Sequence, residues 1–187
     1  MVKPLLMVGV FFLSINSISA DECVIGNGYH LIDDEDYGHS NVAGTWYPLY
    51  IHPTEFAKAY QCWKVFIQMK PDGSFKVVGT SYSSGELIPF ALKATRVGKK
   101  SYEMSMNETP HFNPYSTVYH VLAADYNQFL LVGGCPKPLG GKPLILIYFR
   151  SSSPTEDTIN ATQQSLKKYG LKFSDFDNTC EDPSLHN

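Results

Sequence analysis

The sequence predicts an all-β domain of eight antiparallel strands, closed as an up-and-down barrel or stacked as a sandwich, with one C-terminal helix packed outside. Three observations predict this. Apolar residues recur with period two over most of the chain, the mark of strands with one buried face. Turn signals such as Pro71-Asp72-Gly73, Ser83-Ser84-Gly85 and Val97-Gly98-Lys99-Lys100 separate these runs at close spacing. The period becomes helical only once, after Ser153. The 12 Tyr and 11 Phe fit the same class, because aromatic side chains favour strands and line apolar pockets.

Met1-Val2-Lys3, an apolar run to Leu13 and the small residues ending at Ala20 read as a secretory signal peptide, too short in its apolar core to span a bilayer. Cleavage is expected after Ala20, leaving residues 21–187 as a single secreted, extracellular domain. The net charge is -3, and one unit more acidic without Lys3. With no basic run in the chain, nucleic acid and membrane are not expected partners. All four cysteines, Cys23, Cys62, Cys135 and Cys180, lie beyond the leader, and an even number in a secreted chain predicts two disulfides, in any of three pairings. Cys-x-x-Cys spacing is absent, and Asp33-Asp34-Glu35-Asp36 lacks the glycine and terminal glutamate of a calcium loop, so neither metal nor cofactor is expected.

The first strand opens at Val42-Ala43-Gly44-Thr45-Trp46. Gly44 permits a sharp turn or close approach, and the Trp46 indole is large enough to plug one end of a closed sheet. Residues 53–60 are expected to form a helical turn or lid over an open end. In the second strand Trp63, Val65, Ile67 and Met69 share a face; the third runs from Ser74 to Tyr82; in the fourth Ile88, Phe90, Leu92 and Ala94 share a face. In the fifth, Tyr102, Met104 and Met106 oppose Glu103, Ser105 and Asn107. Asn107-Glu108-Thr109 is a glycosylation sequon whose sugar must face outward, which turns the Tyr-Met-Met face inward. Tyr115 to Ala124 and Tyr126 to Gly134 make the sixth and seventh strands, and Leu144 to Phe149 the eighth. Alternation does not settle which face of the sixth points inward.

A helix follows. Ser153-Pro154-Thr155-Glu156 has the pattern of a serine cap, proline at the first position and a capping-box glutamate, and Gly170 supplies the stop. Ile159, Thr162, Leu166 and Tyr169 form its one apolar stripe, and Asn160, in a second sequon, lies off that stripe. Cys180 sits in a tail that would be loose unless pinned.

The order of these features resembles the lipocalins. Gly44-x-Trp46 stands on the first strand, Ala124-Asp125-Tyr126 between the sixth and seventh, and Arg150 after the eighth; the family usually has threonine in place of Ala124. Similarity is closer to the cockroach lipocalin allergens, in Tyr60-Gln61-Cys62-Trp63, Val121 to Tyr126 running on to Gly134-Cys135-Pro136, and Leu171 to Asp175 leading to Thr179-Cys180. The resemblance implies an eight-stranded up-and-down barrel with Arg150 lying across the Trp46 indole, a cation-π contact of about 0.5 to 2 kcal/mol. It also implies the pairings Cys23–Cys135 and Cys62–Cys180, each tying a terminus to a strand.

An eight-stranded barrel holds side chains or one small ligand. The expected lining is Trp63, Val65, Ile67, Phe90, Leu92, Tyr102, Met104 and Met106, with Tyr115, Thr117 and Tyr119 offering hydroxyls and Glu86, at the open-end turn, a carboxylate for an amine. The resemblance implies transport or sequestration of a small hydrophobic or aromatic ligand such as a pheromone, a fatty acid or a phenolic amine like tyramine or octopamine, by a monomer or weak dimer. An enzyme is not expected: isomerases of this family use a free thiol, and no Gly-x-Ser-x-Gly motif occurs. The alternatives are a haem or bilin carrier, with His120 as the axial ligand, and a surface-acting inhibitor or nutrient protein.

Overall fold

The computed structural model describes residues 24–25, 29–30, 39–52, 61–99, 101–105 and 115–180. The expected signal peptide, Cys23, residues 53–60, Met106 and Asn107 lie outside them.

Val24–Ile25 (β1) and Tyr29–His30 (β2) form a two-residue antiparallel pair. The eight longer strands are Gly44–His52 (β3), Gln61–Met69 (β4), Phe75–Ser83 (β5), Glu86–Arg96 (β6), Ser101–Ser105 (β7), Thr117–Asp125 (β8), Phe129–Gly134 (β9) and Leu144–Phe149 (β10). Each pairs with the next, and β10 returns to pair with β3 from Ile145↔His52 to Phe149↔Tyr47. That last pairing removes both edges and decides for the barrel over the sandwich.

Closure separates two cores. Inside the barrel, Val65, Ile67, Phe75, Val77, Phe90, Leu92, Val121, Val132 and Leu146 pack around the axis. On the outer wall of β3, β8, β9 and β10, a second cluster includes Leu49, Leu122, Leu131, Ile145, Ile147 and Phe149. The helix Glu156–Lys167 (α1) covers it with Leu166, followed by Tyr169, whose hydroxyl donates to the Leu122 carbonyl.

Helix α1 begins two residues later than the Ser153-Pro154 pattern predicts. Ser153 is held in a turn by Ser151, whose Oγ donates to the Ser153 carbonyl and accepts from its N–H, both at 3.1 Å. Thr155 is the cap instead, its Oγ1 accepting from Thr158 N, while Thr158 Oγ1 donates to Gln128 on the barrel at 2.8 Å. The cap that wins is the one that also docks the helix. The buried stripe is Thr158, Thr162, Leu166 and Tyr169, with Ile159 at its margin and Asn160 exposed.

The tail is part of the wall. β3 pairs with β4 only through Gly44, Thr45 and Trp46, after which the two strands part. Asp177–Asn178 (β11) takes the vacated edge of β3 opposite Ile51 and Tyr50. Thr179 then bridges the gap: its N–H donates to Leu49 O at 2.7 Å, its Oγ1 to Pro48 O at 2.6 Å, and its carbonyl accepts from Cys62 N at 2.8 Å. A disulfide joins Cys62 to Cys180 at this point, with Cα atoms 4.4 Å apart. Without the insertion the parted β3 and β4 backbones would leave polar groups unpaired, so it serves as a short extra strand rather than a trailing end.

Candidate functional site: barrel interior and closed end

Gly44, Asp125 and Arg150, far apart in sequence, meet at the end where β3 begins. Trp46 is fully buried there, its indole N–H donating to Val42 O at 2.7 Å. Arg150 lies over the ring with Cζ 3.7 Å from the centroid. Its Nε donates to Tyr126 O, one terminal nitrogen to Thr45 O and the other to Asn41 O and Ala43 O, at 2.8 to 3.0 Å. One guanidinium thus ties the entry of β3 to the β8–β9 turn, using the planar fork that lysine lacks. Burial pulls its pKa below the ordinary arginine value, yet arginine stays charged in proteins. Gly44 is required twice: its φ is 109°, and a Cβ there would come within 2.8 Å of an Arg150 terminal nitrogen. Asp125 shapes the turn, Oδ1 accepting from Asn127 N and Oδ2 from Gln128 Nε2.

Above this floor the barrel encloses a cavity of about 90 Å³. An engineered apolar cavity of roughly 150 Å³ takes up benzene, so the space is on the scale of a small ring compound and far below that of a tetrapyrrole. Seven of the expected residues line it: Trp63, Val65, Ile67, Phe90, Leu92, Tyr102 and Met104. Tyr119 does too, which settles the sixth barrel strand, β8: the face carrying Tyr119 and Val121 is inward. His120, between them, faces outward against Ser101 Oγ at 3.0 Å and is not placed to ligate anything in the cavity. Tyr115 packs against the inner core without lining the cavity. Neither Thr117, at the start of β8, nor Glu86 reaches it; Glu86 is exposed at the β5–β6 turn, though on the inward register of Phe90 and Leu92.

The remaining lining includes Phe75, Val77, Leu130, Val132, Leu144, Leu146 and Tyr148. Phe75 and Val77 flank exposed Lys76 in β5, so period two points to them, although Val78 weakens the alternation. In β9 and β10 the signal is absent, because both faces are buried, one by the cavity wall and one by α1.

The cavity's chemistry is nearly all hydrocarbon and phenol. Among the described residues, no ionised side chain lines the cavity. Burial pushes the phenols of Tyr119 and Tyr148 well above the ordinary tyrosine value, and for Tyr119 the nearby Tyr148 and Tyr115 add to the shift. Both are therefore neutral hydroxyls at any physiological pH. Tyr119 donates to the Tyr115 carbonyl at 3.0 Å. Gly134 makes room for that ring, since a Cβ there would meet Tyr119 Cδ1 and Val118 O at 2.8 Å. Ser81, fully buried on the same register of β5 as Phe75 and Val77, has an Oγ with no hydrogen-bond partner. Among the described residues, no group of His, Cys, Asp and Glu comes together in a way that would hold a metal ion. Cys62, Cys135 and Cys180 are all disulfide-bonded; Cys23, the expected partner of Cys135, lies outside the described residues.

No protein-family model and no curated protein matches the sequence. Solved structures do. A major allergen from cockroaches, Per a 4, is 18% identical with a TM-score of 0.70, over 90% of this chain and 100% of its own. Lobster apocrustacyanin A1 is 15% identical with a TM-score of 0.68, over 89% of this chain and 94% of its own. The amine-binding protein of Rhodnius prolixus, solved as a tryptamine complex, is 19% identical with a TM-score of 0.64, over 85% and 87%. These are lipocalins, and with its closed eight-stranded antiparallel barrel and the helix packed outside, this chain has the lipocalin fold.

Proposed function

We propose that the protein is a secreted lipocalin that binds a small hydrophobic or aromatic molecule in its barrel, to carry or sequester it, and that it is not an enzyme. The observation that supports this most is the apolar cavity above the Arg150–Trp46 floor. Burial of ligand surface at about 25 cal/mol per Å² supplies the driving force, and a preformed site costs little to organise. An amine-binding protein among the structural relatives makes a phenolic amine one candidate, beside a pheromone and a fatty acid. The tail pinned by Cys62–Cys180 suits an oxidising, extracellular setting. Cleavage after Ala20, the Cys23–Cys135 bridge, sugars on Asn107 and Asn160, and a monomer or weak dimer complete the reading.

Native mass spectrometry of protein purified from its source tests it. The expected result is a mass excess removed by organic extraction, with a small apolar compound in the extract. Protein that is empty as isolated and takes up no small apolar compound would favour a surface-acting inhibitor or nutrient protein.

A further inference from the structure

Among the described residues, the cavity lining includes a polar atom to which no hydrogen bond is made, the Tyr148 hydroxyl. Tyr148 lies on β10, on the inward register of Leu144 and Leu146. The side chain is half-buried and lines the cavity. No hydrogen bond reaches its hydroxyl, and desolvation alone acts on its ionisation. Tyr119, close enough to feel Tyr148 electrostatically, has already spent its proton on the Tyr115 carbonyl. A hydroxyl without a protein partner that lines a ligand-sized apolar space is a place where a ligand atom belongs.

The lining also says what kind of atom. The neutral phenol has one proton to give, and a ligand that satisfies that donor brings an acceptor. A carboxylate would enter without a cation to pair it, and an ammonium without an anion, since among the described residues no ionised side chain lines the cavity; a lone charge buried there would carry a heavy cost. The volume limits the body to about one ring.

We propose that the barrel selects a small uncharged ring compound carrying a carbonyl, ether or hydroxyl oxygen, and that the Tyr148 hydroxyl donates to that oxygen. This rests on the reading of the cavity as the ligand site and narrows it: Glu86, exposed at the rim, takes no part.

Three single-ring probes test the inference: acetophenone, with an acceptor oxygen; ethylbenzene, of nearly the same shape without it; and tyramine, a cation. Each is titrated by calorimetry into the disulfide-intact protein and into Tyr148→Phe, which keeps the ring and removes only the hydroxyl. The expected result is that acetophenone binds wild type about three- to tenfold more tightly than ethylbenzene, that tyramine binds most weakly, and that Tyr148→Phe abolishes the acetophenone preference while leaving ethylbenzene unchanged. Retention of the preference in Tyr148→Phe, or tyramine as the tightest probe, overturns the inference and leaves the barrel as a ligand site. Failure of all three to bind wild type overturns both. Should Tyr148→Phe fold poorly, as judged by its melting temperature, the comparison within wild type decides: equal affinity for acetophenone and ethylbenzene overturns the inference.

Discussion

Replacing Arg150 by Met keeps a long apolar stem over Trp46 while deleting the charge and every donor. The loss can be added up from the floor's geometry. The cation-π contact, at 3.7 Å and partly desolvated, is worth about 0.5 to 2 kcal/mol. Four main-chain carbonyls, those of residues 41, 43, 45 and 126, each lose a donor. Because water can reach this end in part, each loss belongs near the low end of the usual range, about 0.5 kcal/mol. The sum is about 2.5 to 4 kcal/mol, or roughly 5 to 15 °C in melting temperature for a domain of this size. Thermal unfolding followed by fluorescence in a Trp63→Phe background leaves Trp46 as the sole indole reporter. Arg150→Met in that background should melt lower by this amount and show red-shifted native emission as the indole loses its cover. A melting temperature within about 1 °C of the background, with unchanged emission, would refute the account of the closed end.

Other consequences can be checked independently. Replacing Cys62 and Cys180 together by Ser should cost up to about 5 kcal/mol in the chain-entropy picture of a loop spanning 118 residues, and amide exchange at Cys62 and Thr179 positions should accelerate as the inserted tail leaves the wall; a guanidinium midpoint and exchange rates equal to wild type would contradict the insertion. Ser81→Ala should stabilise the protein by about 1 kcal/mol, since it removes a fully buried hydroxyl with no partner, whereas a comparable loss on thermal unfolding would mean that Ser81 is satisfied. The raised Tyr119 and Tyr148 phenols stay protonated when folded but ionise near pH 10 once unfolded; the unfolded state then binds fewer protons, so their contribution to stability should be constant below about pH 9 and fall above pH 10. Tyr119→Phe with Tyr148→Phe should flatten that fall in denaturant titrations, and an unchanged slope would count against it.

Much of the barrel can be read in the chain because its exposed half obeys period two. In β6 Phe90, Leu92 and Ala94 are buried while Lys93 and Thr95 are exposed, and the alternation is the whole signal. The second half of the wall is different. Ile145, Ile147 and Phe149 go to the helix and Leu144, Leu146 and Tyr148 to the cavity, so the strand reads as uniformly apolar, and Tyr148 cannot be told from an outward residue without α1 in place. In β8 a bulge between Val121 and Ala123 puts Leu122 and Ala123 on the helix side in succession, which breaks any parity count. The tail's place between β3 and β4 has no sequence signature either. It follows from the two strands parting after Trp46, a consequence of closure that only the assembled sheet displays. The helix start was displaced for a similar reason: Ser153-Pro154 fits a cap locally, but the Thr158–Gln128 contact to the barrel favours Thr155.

The central claim, a site for a small neutral molecule inside the barrel, can be tested with two methionine methyls as reporters. Met104 lines the cavity, whereas Met69, at the end of β4, is 45% exposed and is not among the lining residues. In protein labelled with ¹³C at the methionine methyls, titration with acetophenone should move the Met104 resonance along a saturable curve and leave Met69 where it is. A Met104 resonance that does not respond, or one that moves no more than Met69, would contradict the account.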